Sequence, residues 1–230
     1  MDRWYTSDHH FGHSNIIRYC GRPFVDADAM DKEMVARWND VVADEDEVWI
    51  LGDLVMGKKD QGLANHVARL RGRKVLVPGN HDRCWQGHKD HRWERADYYR
   101  IGGIAKIIDN PEPHTIAGQA VRLSHFPYKL DDRHDMKYTQ WRPQDDGGWL
   151  LHGHVHEKWS QQHRQINVGV DAWNFAPVPE QTIADLIKRG PSNTPIADHT
   201  GAPARAQGGG RNELSIQVYD GGGVRIEAAA

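Results

Sequence analysis

Cysteine is nearly absent: Cys20 and Cys84 are the only two in 230 residues. That excludes a disulfide framework and a thiolate zinc site, and it suits a reducing cytosol. No apolar run approaches the roughly 20 residues that cross a bilayer. The start, Met1-Asp2-Arg3-Trp4-Tyr5-Thr6, lacks the apolar core of a signal peptide. The expected compartment is therefore cytoplasmic, with no membrane partner. An excess of one charge is missing too. Lys and Arg number 29 against 32 Asp and Glu, a formal net charge of −3. No long nucleic acid is expected as a partner through bulk electrostatics. Internal repeats are lacking, and nothing in the pattern fixes an oligomeric state.

What is abundant is histidine, with 15 residues. Several of them fall in five short islands: Asp8-x-His10, Gly52-Asp53, Gly79-Asn80-His81-Asp82, His125 and Gly153-His154-x-His156. Each island follows a short apolar run, namely Trp4 to Thr6, Val48 to Leu51, Val75 to Val77, Val121 to Leu123 and Trp149 to Leu151. These runs are too short for helices and are rich in β-branched or aromatic residues, so they read as buried strands. A strand that ends in a sharp turn presents its carboxylate or imidazole at the sheet edge where ligands of α/β folds gather. Every side chain in the set can offer oxygen or nitrogen to a divalent metal, and two metals side by side can activate water against a phosphate ester.

Between the strands lie helical spacings: Met30, Met34, Trp38 and Val41, then Leu63, Val67 and Leu70 before Gly72. The alternation suggests βαβ units in the first half of one α/β domain over residues 1–189. Ile104 to Ile108 and Gln165 to Val168 are further strand candidates. A last helix starts at Pro179, carries Ile183, Leu186 and Ile187 on one face, and stops at Gly190-Pro191. Residues 190–212 read as a Pro/Gly/Ala/Asn-rich linker. Residues 213–230 read as a β-hairpin appendage around Asp220-Gly221-Gly222-Gly223.

Each island alone has a plain structural reading as a turn or a capping cluster. Five in this order, each behind an apolar run, do not arise by coincidence. The pattern DxH…GD…GNHD…H…GHxH resembles the calcineurin-like metallophosphoesterase superfamily from residue 3 to about residue 175. Thr6-Ser7-Asp8-His9-His10-Phe11-Gly12-His13 and Asn167-Val168-Gly169-Val170-Asp171 further resemble a small phosphoesterase subgroup of bacteria and their phages.

The resemblance implies an αββα sandwich of two mixed sheets flanked by helices, with two divalent transition-metal ions. One ion would be held by Asp8, His10, Asp53 and His156. The other would be held by Asp53, Asn80, His125 and His154, so that Asp53 bridges. A dinuclear centre needs one bridging carboxylate, and Asp53 follows a strand read as central. A shell of imidazoles, carboxylates and one amide suits Mn, Fe, Zn, Ni or Co. The family pattern makes His81 the residue that stabilises phosphate charge and protonates the leaving oxygen. Asp82 would orient its ring. The plainer alternative is a His–Asp hydrogen bond within the turn.

His13 and Arg83 are weaker candidates for contact with substrate phosphate. Cys84 reads as a small buried thiol. Trp38 and Trp49 fit core positions, whereas Trp85, Trp141 and Trp173 fall nearer the rim, where a base could stack. The loop from Lys129 to Gln144 brings Arg133, His134, Lys137 and Arg142 as further phosphate-facing or solvated groups. The leading expectation is a phosphoesterase acting on small phosphodiesters, with cyclic nucleotides and the 2',3'-cyclic class favoured. A phosphomonoesterase or protein phosphatase on the same site, a non-catalytic metal-binding module, and a nuclease for short oligonucleotides are the alternatives.

Overall fold

The computed structural model describes residues 1–128 and 137–196, together with the backbone of two short strands at 217–218 and 224–225. The first half runs β1 (Arg3–Thr6), α1 (Ser14–Tyr19), α2 (Ala27–Val41), β2 (Glu47–Ile50), α3 (Lys59–Asn65), β3 (Arg73–Leu76), α4 (His91–Arg100) and β4 (Lys106–Ile107). The second runs β5 (His114–Ile116), β6 (Gln119–Leu123), β7 (Trp149–His152), β8 (Gln161–His163), β9 (Gln165–Asn167), β10 (Val178–Pro179), α5 (Glu180–Arg189) and β11 (Ser192–Thr194).

Two mixed sheets result. In the first, β10-β1-β2-β3-β4, the four strands β1 to β4 are parallel and β10 is antiparallel to β1. In the second, β11-β8-β9-β7-β6-β5, β6, β7 and β9 run parallel and the outer pairs antiparallel. Period-two alternation divides the side chains of the first sheet. Val48, Ile50 and Leu76 face the helices, packing with Met30, Met34 and Trp38 of α2 and Leu63 of α3. Tyr5, Trp49, Leu51, Val75 and Val77 face the other sheet, meeting Val121, Leu123, Leu151 and Ile166. The α/β sandwich of two mixed sheets flanked by helices is therefore the fold, as the family resemblance implies.

Local chemistry accounts for the helices. Asp26 caps α2 by accepting from the Ala29 N–H at 2.8 Å. In α5, Glu180 lies in the first turn and Lys188 and Arg189 in the last, matching the helix dipole, and Gly190 ends it at φ +93°. The apolar face Ile183, Ala184 and Ile187 closes one side of the inter-sheet core. One helix expected from spacing is shorter than its pattern. α3 ends at Asn65, and Val67–Arg69 forms a single 3₁₀ turn. The break at His66 places its ring 5.3 Å from that of Phe11 and its Nε2 3.3 Å from Asp31. α4 escapes the pattern altogether, because Tyr98 is its one buried residue.

Ser192–Thr194, inside the span read as linker from residue 190, pairs antiparallel with β8 as an edge strand. Residues 197–216 lie outside the described residues. Strands β12 (Gln217–Val218) and β13 (Val224–Arg225) pair antiparallel where the sequence shows the hairpin alternation. Among the described residues no helix is long and apolar enough to cross a membrane.

α5 starts beside Arg3, at the beginning of β1, with Glu180 2.9 Å from the guanidinium. The ligand islands follow the other end of that strand. Ile183→Ala should therefore lower stability by about 2–5 kcal/mol, the usual cost of truncating a fully buried aliphatic side chain. A urea melt reads this, and metal uptake by the folded variant should be unchanged.

Candidate metal centre

The two sheets meet at the carboxyl ends of their strands. Ser7, just beyond β1, forms a parallel bridge with Gly169 beyond β9, and the Val170 N–H donates to the Ser7 carbonyl at 3.0 Å. The Asp8, His10 and Phe11 amides donate to the carbonyls of Gly52, Asp53 and Leu54, each at 3.0 Å. The Gly153 N–H donates to the His125 carbonyl at 3.1 Å. The islands are thus stitched turn to turn.

The turns are tight enough to force unusual backbone. Asp8, His10, Asp53, His154 and His156 have φ of +59°, +54°, +56°, +71° and +51°. Five of the seven proposed ligands thus occupy the left-handed region, which costs a side-chain-bearing residue about 1–3 kcal/mol and clusters at functional sites. Two glycines make the approach feasible. A Cβ on Gly52 would lie 2.5 Å from the Gly79 nitrogen and 2.7 Å from His125 Nδ1, and one on Gly153 would overlap Ser7 Oγ and Asp8 Oδ2.

These constraints produce two clusters, one of which reaches toward the other through Asp53. Asp8, His10 and His156 bring ligand atoms within 4.8 Å of one another, and so do Asp53, His125 and His154. Asp53 Oδ2 stands between them, 3.6 Å from His10 Nε2 and 3.4 Å from His125 Nε2. Asn80 Oδ1 lies 3.1 Å from the same His125 nitrogen. His125 Nδ1 faces the Leu51 carbonyl at 2.8 Å, which assigns its proton to Nδ1 and leaves Nε2 bare toward the centre. All seven candidate ligands are brought together.

The residues fit a pair of cations. Asp8 Oδ1 and both ring nitrogens of His10 are buried without a hydrogen-bond partner, a state native proteins avoid unless a ligand completes it. Burial pushes the His10 and His154 rings far below the usual imidazole range, so they are unprotonated and ready to ligate. Burial also pushes Asp53 up; His125 opposes the shift, while Asp8 and Asp82 add to it. Bound cations reverse that penalty. His156 goes the other way: burial opposes its charge, and Asp8 with the Asp171 hydrogen bond outweighs burial.

The flanking candidates divide. His81 lies at the solvent edge, its ring 5.3 Å from that of His10, and its N–H donates to Asp53 Oδ1 at 2.9 Å. Burial of its inner side, then His125, His13 and His156, lowers its ring to about 4. His13 stands beside the centre, 5.4 Å ring to ring from His10. Arg83 joins Asn80, His81 and Lys59 around a cavity of about 390 Å³.

Asp82 requires a correction. Its carboxylate is buried and accepts from the N–H groups of Asp53 at 2.8 Å, Gly79 at 2.9 Å and Leu54 at 3.0 Å. It fastens the Asp53 turn to the Gly79 turn rather than orienting the His81 ring, because three backbone donors need a buried acceptor there. Trp85 is also corrected: it is buried, with Trp141 5.0 Å and Tyr138 5.7 Å away ring to ring, and so is not open to a base. Trp173 is half-buried and donates to the Asn167 carbonyl at 2.7 Å. Arg142 is buried and Cys84 fully so, whereas Arg133 and His134 lie outside the described residues. The residue reading gave no role to Ser7, Arg22 or Asp171. Asp171 belongs to a stretch noted only for its resemblance, and Arg22 carries no local signal.

Asp82→Asn replaces an acceptor of three backbone donors by a group that is half donor. It should cost about 1–3 kcal/mol and lower metal content, while leaving the dependence on leaving group unaltered. Thermal melts, elemental analysis and a series of aryl esters check the three parts.

The calcineurin-like phosphoesterase family model matches residues 1–201. The chain is 34% identical over 196 residues to the Gene 66 protein of Mycobacterium phage D29, covering 80% of this chain and 94% of that protein. It is 32% identical over 192 residues to an uncharacterised protein of Methanocaldococcus jannaschii, covering 80% and 90%. Among solved structures, a protein of unknown function from Aquifex aeolicus matches with a TM-score of 0.60 at 26% identity, over 80% of this chain and 98% of that one. The matched span contains every island, and the chain belongs to the calcineurin-like phosphoesterase family, whose members usually hydrolyse phosphate esters with two metal ions.

Proposed function

We propose that this chain hydrolyses small phosphodiesters, with 2',3'-cyclic nucleotides the favoured class, using two divalent ions drawn from Mn, Fe, Zn, Ni and Co. The observation that carries the reading is Asp53 Oδ2, placed between the bare Nε2 of His125 and the unpartnered Nε2 of His10. Asp8, His10 and His156 would complete one ion position, and Asn80, His125 and His154 the other. When bound, two such ions neutralise phosphate charge and supply a water acidic enough to attack near neutral pH. The full ligand set favours a catalyst over a non-catalytic module.

His81 is the catalytic residue of the protein itself. Its backbone is tied to Asp53, so its ring moves with the bridging carboxylate. With the ring neutral at physiological pH, one N–H remains, to hold a phosphate oxygen and then pass to the departing alkoxide. His13, beside His10, and Arg83, which lines the same cavity as His81, would hold the other phosphate oxygens. The cavity of about 390 Å³ between Asn80, His81 and Arg83 matches a small-molecule ester group, which supports a small diester over a protein substrate. A parallel assay of cyclic nucleotides, mononucleotides and phosphopeptides with Mn added tests this. Exclusive release of phosphate from the last two would replace the diester reading by a monoesterase.

Asp53→Ala should abolish hydrolysis and lower metal content, since it removes the one group shared by both positions. Wild-type turnover in a folded Asp53→Ala variant would refute the shared carboxylate. His81→Ala should keep the metals and slow esters with poor leaving groups by about 10²–10⁴-fold, with much smaller loss for good ones. Equal losses across a leaving-group series would assign His81 to charge stabilisation alone.

A further inference from the structure

Arg22 and Asp171, outside the seven ligands, have side chains with 0% exposure. Arg22 follows α1, and Asp171 lies in the turn after β9. The Arg22 Nε donates to Asp171 Oδ1 and its Nη2 to Oδ2, both at 2.8 Å. Nη2 also donates to the Asp8 carbonyl at 2.7 Å, and Nη1 to the His9 carbonyl at 2.9 Å. Asp171 Oδ2 stands 3.4 Å from His156 Nδ1, while His156 Nε2 faces Asp8 Oδ1 at 4.0 Å. One buried ion pair therefore reaches the backbone that carries Asp8 and the ring of His156.

We propose that the Arg22–Asp171 pair is a positioning device for one ion position only, that of Asp8, His10 and His156, and that its loss weakens binding at this position while the other keeps its affinity. The inference rests on the two-ion reading above. A carboxylate offers no donor, so Asp171 requires the His156 proton on Nδ1 and leaves Nε2 bare on the side of Asp8. The planar fork of Arg22 spans a carboxylate and two carbonyls at once, which a lysine cannot do. It holds the strained Asp8 turn from behind. The other position has its own support, because the Leu51 carbonyl fixes His125. Asp171 does not serve as a ligand itself. Cys20, His156 and Asp171 place ligand atoms within 4.8 Å, but the guanidinium occupies both Asp171 oxygens and repels a cation there.

Asp171→Asn tests the device. Its amide oxygen stays with Arg22, so its NH₂ turns to His156, moves the ring proton to Nε2 and blocks ligation. Manganese is titrated into metal-free wild-type and variant chains and followed by elemental analysis and electron paramagnetic resonance, with circular dichroism to verify folding. The wild-type chain should bind two ions with a spin-coupled signal. The variant should hold one ion at wild-type affinity and the second about 10–100-fold more weakly, giving the six-line signal of an isolated ion. Should the unpaired Arg22 charge prevent folding, Arg22→Met combined with Asp171→Leu removes both charges and the acceptor, and the same loss is expected. Two ions at wild-type affinity in a folded variant, or equal weakening of both, overturns the proposal alone. A wild-type chain that binds a single ion overturns the two-ion reading and the proposal with it.

Discussion

Asp53 is buried with one carboxylate oxygen within 3.6 Å of imidazole nitrogens from both clusters. Isolated carboxylates and neutral imidazoles at such depth are costly to fold around. A pair of cations would turn that cost into coordination, and the bonds around Asp53 hold it in place for that role. Its own amide is held by Asp82, its carbonyl accepts from His10, and its Oδ1 accepts from His81. The same few bonds join β1, β2 and β3 at their carboxyl ends. Chemistry and sheet edge are therefore one network, and damage to either is expected in the other.

The strain is concentrated where that network is densest. Five candidate ligands sit at positive φ, and the surrounding hydrogen bonds and glycine contacts over-determine them. Such turns aim a side chain back across the sheet edge, which an ordinary extended residue does not achieve. The compensating stability comes from elsewhere: one apolar cluster between sheet and helices and a second between the sheets. The inter-sheet cluster joins the two groups of strands whose ends carry the candidate ligands.

The strands and the candidate ligand islands were legible because both leave short-range marks. Apolar runs of three or four residues followed by Asp, Asn or His persist whatever the tertiary context, and α2 and α5 show their buried faces at helical spacing. α4 left no such mark, since only Tyr98 is buried. The break in α3 depends on His66 meeting Phe11 and Asp31, residues over thirty positions away, so the spacing of Leu63, Val67 and Leu70 could not reveal it.

The sequence by itself determined the α/β class and the islands of Asp, Asn and His behind apolar runs, because these rest on residue type and local period, and its resemblance to a known family supplied the candidate ligand set. Only the tertiary structure decided what the neighbours of those ligands do. Asp82 adjoins His81 in the chain yet spends its oxygens on backbone donors from two turns. Arg22 and Asp171, 149 positions apart, meet beneath His156 with no sequence signal. Hydrogen bonds between distant turns are set by how the two sheets close on each other, and that closure is a property of the packed core rather than of any segment.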